Sequence, residues 1–156
     1  MAGSIDRVTA AAMAAGLEIE IKRMGVSTRT AEEAAEQCGC VVDQIVKSLI
    51  FQGEASGKLY LFMMSGSSRL DLQKASGLAG EALRRADPRF VRDQTGFAIG
   101  GVSPLGYLKP IQTFADQKLL SHDRIWAAAG AHDAVFAAEP RALLAAANAK
   151  PADLAE

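Results

Sequence analysis

Residues 47–64 have the sequence KSLIFQGEASGKLYLFMM, in which two apolar runs enclose a polar segment that contains Gly53 and Gly57. Two runs rich in branched and aromatic residues, separated by a short segment with glycine, are typical of a β-hairpin. We therefore expect a pair of antiparallel strands near the middle of the chain.

The chain before the hairpin combines two helices with one strand. Apolar residues at helical spacing predict a helix over residues 5–15. Residues 17–22 alternate strictly between apolar and polar side chains, as a half-buried strand does. Thr30 and Glu33 have the spacing of a capping box, and the helix that they begin is expected to end at Gly39.

After the hairpin, helices and short strands alternate irregularly. Asp71 and Asp87 stand where helices begin and are expected to cap them. Because regular β-α-β alternation is absent, we expect a single α+β domain over residues 1–156, with a mixed sheet flanked by short helices. Helices are predicted at residues 70–78, 87–96 and 140–147, strands at residues 97–99, 111–115, 125–129 and 135–138, and a frayed end from residue 150.

Composition and charge exclude several classes of protein. Hydrophobic residues make up 49% of the chain and charged residues 22%, which favours a packed core over disorder. A net charge of -1 argues against a strongly basic DNA-binding protein, and no apolar run approaches the roughly 20 residues of a membrane span. The N-terminal residues lack the apolar block of a signal peptide, so we expect a cytoplasmic protein without membrane or DNA partners.

Basic residues are nonetheless available for a local anion-binding face. Their simplest interpretation is a solvated surface, because acidic residues are interspersed with them. Whether they cluster depends on the three-dimensional structure. The set contains Lys22, Arg23, Arg29, Lys47, Arg69, Lys74, Arg84, Arg85, Arg89 and Arg92.

The most unusual segment is residues 100–106, which contain three glycines and one proline. Glycine permits positive φ and a close approach of the backbone to a ligand, so such a loop can direct several N–H groups at one oxygen, as an oxyanion hole does. The motifs G-K-S/T and G-x-G-x-x-G are absent, which excludes a phosphate-binding loop and a dinucleotide-binding motif. By itself the segment is more often a tight turn than a site.

Lys47 lies on the predicted strand face that carries Ile45, Leu49 and Phe51. A lysine on an apolar face must extend its ammonium group to solvent, find a partner or bind a ligand. Extension to solvent is the simplest of the three, so Lys47 alone does not indicate a site.

The other residues that often carry chemistry do not form a known set. The chain has two cysteines and two histidines, and the spacing of Cys38, Cys40, His122 and His132 does not provide the ligands of a typical metal site. No nucleophile motif such as G-x-S-x-G is present. We therefore expect no metal and no cofactor.

Six segments in order nevertheless point to one family. Together they resemble the YbaK family, which includes the editing domain inserted in bacterial prolyl-tRNA synthetases, over about residues 30–147. The resemblance implies a mixed, partly barrel-like sheet flanked by helices. The segments are residues 30–35, 44–49, 69–74, 95–106, 111–116 and 128–130.

The resemblance also implies an activity. It is hydrolysis, in trans, of the ester bond of a mischarged aminoacyl-tRNA, and we expect tRNA-Pro carrying a small wrong amino acid such as alanine or cysteine. The synthetase is then an expected partner in trans. An aminoacyl ester is already activated, so a positioned water and a stabilised oxyanion can replace a strong nucleophile.

Seven residues receive roles from the resemblance. Lys47 is placed to hold the terminal nucleotide of the tRNA, and backbone groups of Gly100 and Gly101 to hold the ester and the attacking water. The other four are expected to bind the substrate, with the last at the border of the aminoacyl pocket: Val102, Ser103, Pro104 and Gly130.

Two other interpretations stay open. The first is a non-catalytic tRNA- or RNA-binding module of the same fold, and the second is a small-ligand-binding domain unrelated to tRNA. Lys47 and the intact glycine segment argue against the first, because a module without activity need not keep both.

Overall fold

The computed structural model of the chain describes residues 3–26, 28 and 30–156. Arg29, which belongs to the set of basic residues above, lies outside that part. Two 3-10 turns, Val42–Gln44 and Gln117–Ser121, accompany the helices and strands. The helices and strands are α1 (Ser4–Ala14), β1 (Ile21–Arg23), α2 (Ala31–Cys38), β2 (Val46–Gly53), β3 (Leu59–Ser65), α3 (Leu72–Ala79), β4 (Leu83–Arg85), α4 (Pro88–Thr95), β5 (Gln112–Asp116), β6 (Ile125–Ala128), β7 (Ala134–Ala138), α5 (Pro140–Ala146) and β8 (Lys150–Ala152).

The larger of two sheets contains five strands in the order β4-β2-β3-β5-β8. The predicted hairpin forms its centre, where β2 and β3 are antiparallel and Leu49 lies opposite Phe62. β5 is parallel to β3, and β8 is parallel to β5. The sheet is therefore mixed, as predicted, because both hairpin and crossover connections build it.

The smaller sheet contains three antiparallel strands in the order β1-β7-β6. Ile45, directly before β2, pairs in parallel with Trp126 of β6 and links the two sheets. Helix α1 packs into the core between them through Val8 and Ala12, which are fully buried. These features confirm the α+β fold with mixed strand directions.

Strand β3 is buried along its whole length, which explains why its sequence is a continuous apolar run rather than an alternating one. Leu61 and Met63 face the core that contains α1. Phe62 faces the opposite side of the sheet, where its ring stacks on Phe114 with 5.6 Å between centroids. The hairpin thus belongs to two apolar cores at once.

Helix ends follow the local sequence closely. The carboxylate of Asp71 accepts hydrogen bonds from the first N–H groups of α3, and that of Asp87 does the same for α4, as predicted. The predicted stop at Gly39 is also confirmed, and the residues that follow α2, α3 and α4 all adopt left-handed φ values, of 68°, 80° and 83°. These residues are Gly39, Gly80 and Gly96.

Two predicted strands are wrong: one begins later than predicted, and the other does not form. Burial alternates along residues 17–22 as expected, but pairing with β7 begins only at Ile21, which lies opposite Phe136. Residues 97–99 do not form a strand, because Phe97 and Ala98 are irregular and a turn follows at Ile99 and Gly100. The N–H group of Gly101 closes that turn on the carbonyl oxygen of Ala98 at 3.0 Å.

The expectation of a frayed end is also wrong. Residues from 150 onward add β8 to the larger sheet, and Leu154 is fully buried. The N–H group of Leu154 donates to the buried carboxylate of Asp116 at 3.0 Å. A distant strand thus fixes this segment through contacts that local composition does not encode.

No helix within the described residues is both long and apolar enough to cross a membrane.

Candidate functional site

A cavity of about 340 Å³ opens between α2, the start of β2, strand β6 and the loop of residues 96–106, which we call the glycine loop. Lys47 and Ser48 reach its wall from β2, Trp126 from β6 and Gly100 from the glycine loop. Much of the remaining wall is small and apolar and includes Ala31, Ala34, Ala127, Ala128 and Val135. The cavity therefore combines the Lys47 cation, the Ser48 side chain and the Gly100 backbone with a mainly apolar wall.

The glycine loop takes its shape from three residues with positive φ. Gly96, Gly100 and Gly106 have φ values of 83°, 98° and 88°, which other residues adopt only with strain. Phe97, fully buried, fixes the start of the loop in the core. The amide N–H groups of Gly100 and Val102 have no acceptor among the described residues, so the wall of the cavity carries backbone donors that a ligand oxygen can use.

Helix α1 holds both ends of the glycine loop. The Arg7 guanidinium donates to the carbonyl oxygen of Gly96 at 2.5 Å and to that of Gly106 at 3.2 Å. Its carbon atom also lies 5.2 Å from the centroid of the Phe97 ring. The Ser4 hydroxyl adds a third hydrogen bond, to Gly96 at 3.2 Å. These contacts fix the loop from outside the cavity.

The glycine loop also packs against the turn between β6 and β7. A Cβ atom on Gly101 would lie 3.3 Å from the Cα of Ala131, and one on Gly130 would lie 2.9 Å from the carbonyl carbon of Ser4. Gly130 additionally has a φ of 100°. Both glycines therefore permit close contact between backbone segments.

Three of the seven predicted site residues meet at the cavity: Lys47, Gly100 and Val102. Gly101, Ser103 and Pro104 are buried beside it, and Gly130 contacts α1. Ser103 is fully buried, and its Oγ accepts a hydrogen bond from the N–H group of Leu105 at 3.2 Å.

Lys47 does not simply extend to solvent. Its ammonium group donates a hydrogen bond to the backbone carbonyl oxygen of Ser68. Burial lowers the pKa of Lys47; the nearby Glu32 carboxylate opposes that change, and the positive charge of Arg69 reinforces it. The direct partner of the cation is thus a neutral carbonyl group, which fixes its position without neutralising its charge.

Ser48 is a site residue that sequence reasoning missed. Its Oγ is buried and has no hydrogen-bond partner in the described part of the chain, although it lies on the wall of the cavity. An unpaired buried hydroxyl is costly and usually has a reason. The available signal was a hydroxyl between Val46 and Ile50, which share its strand face and pack in the core.

Ile99 was also missed. It lies on the cavity wall beside Gly100, and 60% of its surface is exposed. Its apolar side chain at the mouth of the cavity offers a surface for a ligand. The wrong assignment of residues 97–99 to a strand hid this position.

The cysteines and histidines stand apart from the cavity wall. Burial raises the pKa of the Cys38 thiol to about 11, with the neighbouring Cys40 acting in the same direction, so neither a thiolate nor a strong nucleophile is favoured. No three His, Cys, Asp or Glu residues of the described chain group together as metal ligands.

Comparison with known proteins identifies a family and a similar solved structure. The model of the aminoacyl-tRNA editing domain family matches residues 26–146. The crystal structure of a proposed trans-editing enzyme for prolyl tRNA synthetase superposes with a TM-score of 0.92 at 47% identity, over 100% of this chain and 99% of the other.

Two curated proteins show similarity at the sequence level. The uncharacterised protein YwhH of Bacillus subtilis (strain 168) is 30% identical over 81% of this chain and 80% of its own length. EbsC of Enterococcus faecalis (strain ATCC 700802 / V583), a proposed Cys-tRNA(Pro)/Cys-tRNA(Cys) deacylase, is 27% identical over 80% of this chain and 76% of its own length.

Proposed function

Because the chain belongs to the family of aminoacyl-tRNA editing domains, we propose that it removes a small wrong amino acid, such as alanine or cysteine, from tRNA-Pro in trans. The family assignment makes the chain a hydrolase of mischarged aminoacyl-tRNA. The identity of the tRNA and the identity of the amino acid are the parts that we propose. Similarity to a proposed trans-editing enzyme for prolyl tRNA synthetase supports tRNA-Pro, and we place the activity in the cytoplasm with the synthetase as a partner in trans.

The observation that carries the proposal is the meeting of Lys47 with Gly100 and Val102 at one cavity. A cation beside backbone donors fits an ester attached to a nucleotide, because the cation attracts phosphate and the N–H groups can donate hydrogen bonds to a developing oxyanion. Neither element alone would distinguish a site from a tight turn or a surface lysine.

We propose a mechanism in which the protein positions the ester and a water molecule. The water attacks the ester carbonyl carbon, the N–H groups of Gly100 and Val102 donate to the resulting oxyanion, and the ribose oxygen leaves with a proton. Lys47 is the single ionisable side chain among the described residues of the cavity wall. Proton transfer therefore falls to water and to the substrate's own hydroxyl or amino groups.

The cavity wall supports a small, uncharged amino acid. Apolar side chains form much of its wall, four alanines and three valines among them, and no carboxylate lies on the described wall to pair with a basic side chain. Burying an unpaired charge there is unfavourable. The same space must also admit part of the terminal nucleoside, which leaves little room for a large aminoacyl side chain.

A panel of mischarged tRNAs tests the proposal. Alanyl-, cysteinyl- and seryl-tRNA-Pro should be deacylated, prolyl-tRNA-Pro should be spared, and alanyl-tRNA-Ala should be cleaved more slowly than alanyl-tRNA-Pro. Faster cleavage of tRNAs other than tRNA-Pro would contradict the tRNA assignment. Binding without turnover of any ester would identify the non-catalytic module instead.

A further inference from the structure

We propose that Lys47, Arg69 and Lys118 form one surface that binds the phosphates of the single-stranded 3′ end of the tRNA. The strand would cross residues 66–69, which we call the serine loop, before its last nucleotide enters the cavity. This inference rests on the proposed function, because it names the path by which that substrate reaches the site.

Two ammonium groups converge on the serine loop from different parts of the chain. Lys47 donates to the carbonyl oxygen of Ser68 from β2. Lys118, which follows β5, lies 3.1 Å from the Oγ of Ser67 and 3.4 Å from that of Ser68. Because both cations contact the same residue, they are close enough to bind neighbouring phosphates of one strand.

Arg69 adds a third cation directly after Ser68. Its side chain is exposed and makes no ion pair or hydrogen bond within the described residues. Its charge also acts on Lys47 and lowers the pKa of that group. Like charges held this close favour an anion between them, and an arginine fork is suited to phosphate oxygens.

Among the described residues, two acids offset the charge of this surface: the Glu32 carboxylate acts on Lys47, and Asp43 forms an ion pair with Lys118. The Asp43 carboxylate lies 3.5 Å from the Lys118 ammonium, and the two side chains are 39% and 41% exposed. Exposed pairs of this kind contribute little. The Asp43 carboxylate also accepts a hydrogen bond from the Ser67 hydroxyl, so a phosphate at Lys118 competes with both contacts. The chain as a whole has a net charge of -1, so attraction of phosphate depends on local groups of cations such as this one rather than on the overall charge.

The serine loop is held in place before any ligand arrives. A Cβ atom on Gly66 would lie 2.4 Å from the carbonyl oxygen of Val42, so the loop presses against the 3-10 turn before β2. The Ser65 hydroxyl donates to the carbonyl oxygen of Asp43 at 2.7 Å, and the Ser68 N–H group donates to that of Ser65 at 3.0 Å. A fixed loop loses little freedom on binding, which favours affinity.

The chemistry of the surface favours contacts with the sugar-phosphate backbone of a nucleic acid over contacts with its bases. The serine loop presents hydroxyl groups and cations and contains no aromatic side chain on which a base could stack. Contacts of this kind position a nucleic acid without reading its sequence. The surface is continuous with the cavity because Lys47 belongs to both.

Kinetics with two substrates test the inference. One is the aminoacyl-tRNA that the wild type cleaves fastest, and the other is the same amino acid esterified to adenosine, which has no phosphates. Arg69→Gln and Lys118→Gln should each raise KM for the tRNA roughly fivefold and reduce the slope of log KM against log salt by about 0.7. Neither variant should change kcat for the tRNA or cleavage of the adenosine ester.

Two exposed residues far from the serine loop provide matched controls. Arg89→Gln on α4 and Lys58→Gln in the hairpin turn remove the same charges and should leave KM and the salt slope unchanged. KM values for Arg69→Gln and Lys118→Gln equal to those of the controls would overturn the inference. Titration of uncharged tRNA with the same variants separates the two proposals, because it reports on the surface even if the wild type cleaves no ester.

Discussion

The ammonium group of Lys47 donates a hydrogen bond to the carbonyl oxygen of Ser68, a residue of the loop that follows the next strand. A neutral acceptor fixes the position of the cation without cancelling its charge. Lys47 is therefore an oriented cation at the cavity wall, and an oriented cation is suited to binding the phosphate of a nucleotide.

Replacement of Lys47 by alanine should remove most deacylase activity while the fold survives. Hydrogen bonds to charged groups contribute about 1.5–3 kcal/mol, so kcat/KM should fall by roughly ten- to a hundredfold. Circular dichroism and turnover of mischarged tRNA measure the two effects. Near-wild-type turnover in a folded variant would remove Lys47 from the site.

Lys47 should also give the activity a characteristic pH dependence. Burial lowers its pKa, so the charged form is lost at a lower pH than for an ordinary lysine, and KM for tRNA should rise as pH increases through that pKa. Lys47→Arg keeps its charge at all accessible pH values and should abolish the rise. Identical profiles for the two proteins, after subtraction of spontaneous hydrolysis, would contradict this role.

Ser48→Ala should separate stability from activity. The Ser48 hydroxyl is buried without a partner among the described residues, so its removal relieves an unsatisfied group and should leave the free energy of unfolding unchanged or raise it by about 1 kcal/mol. If the hydroxyl contacts the substrate, kcat/KM should nevertheless fall roughly tenfold. Urea denaturation and deacylation kinetics are the two measurements, and loss of stability with unchanged kinetics would assign Ser48 to the core.

Within the glycine loop, backbone restriction should matter more than loss of a hydroxyl. Ser103→Ala removes one internal hydrogen bond, to Leu105, costs about 1 kcal/mol of stability and should keep substantial activity. Gly101→Val should abolish activity, because its side chain would meet the backbone of Ala131, 3.3 Å from the Cβ position. An inactive Ser103→Ala beside an active Gly101→Val would identify the hydroxyl as a nucleophile or base.

Gly130→Ala should destabilise the protein more than Gly80→Ala. Both positions have positive φ, 100° and 80°, which costs alanine roughly 1–2 kcal/mol. At Gly130 the added methyl would also lie 2.9 Å from the carbonyl carbon of Ser4, whereas nothing lies within 4 Å at Gly80. Equal midpoints in urea for the two variants would show that the contact with α1 contributes nothing.

Deacylation should need no metal ion. The described residues provide no group of three potential ligands, and the proposed mechanism uses backbone donors and water. Full activity is expected after dialysis against EDTA. Activity that is lost in EDTA and restored by zinc would contradict the mechanism.

Local sequence predicted the parts of the fold that depend on neighbouring residues. The hairpin of β2 and β3, the caps at Asp71 and Asp87, and the stop at Gly39 each follow from patterns only a few residues long. The wrong predictions lie where contacts between segments distant in sequence determine the local structure. Leu154 is ordered by Asp116, and the turn between Ala98 and Gly101 belongs to a loop that α1 fixes.

The candidate site shows the same division. Lys47 and the glycine segment were found from their residue types and the family resemblance. Ser48 was not, because an unpaired hydroxyl is visible only when its surroundings are known. The contact of Gly130 with Ser4 was equally inaccessible, since it joins residues more than a hundred positions apart in sequence.

The hydrogen bonds from Arg7 to Gly96 and Gly106 have a consequence for the limits of the functional unit. The family match begins at residue 26, so the helix that carries Arg7 lies before it. A fragment trimmed to the matched segment would keep every described residue of the cavity wall yet lose the brace that shapes one side of it. Any transplantation of this activity into another protein must therefore carry α1 along, or supply a cation of equal reach from the host.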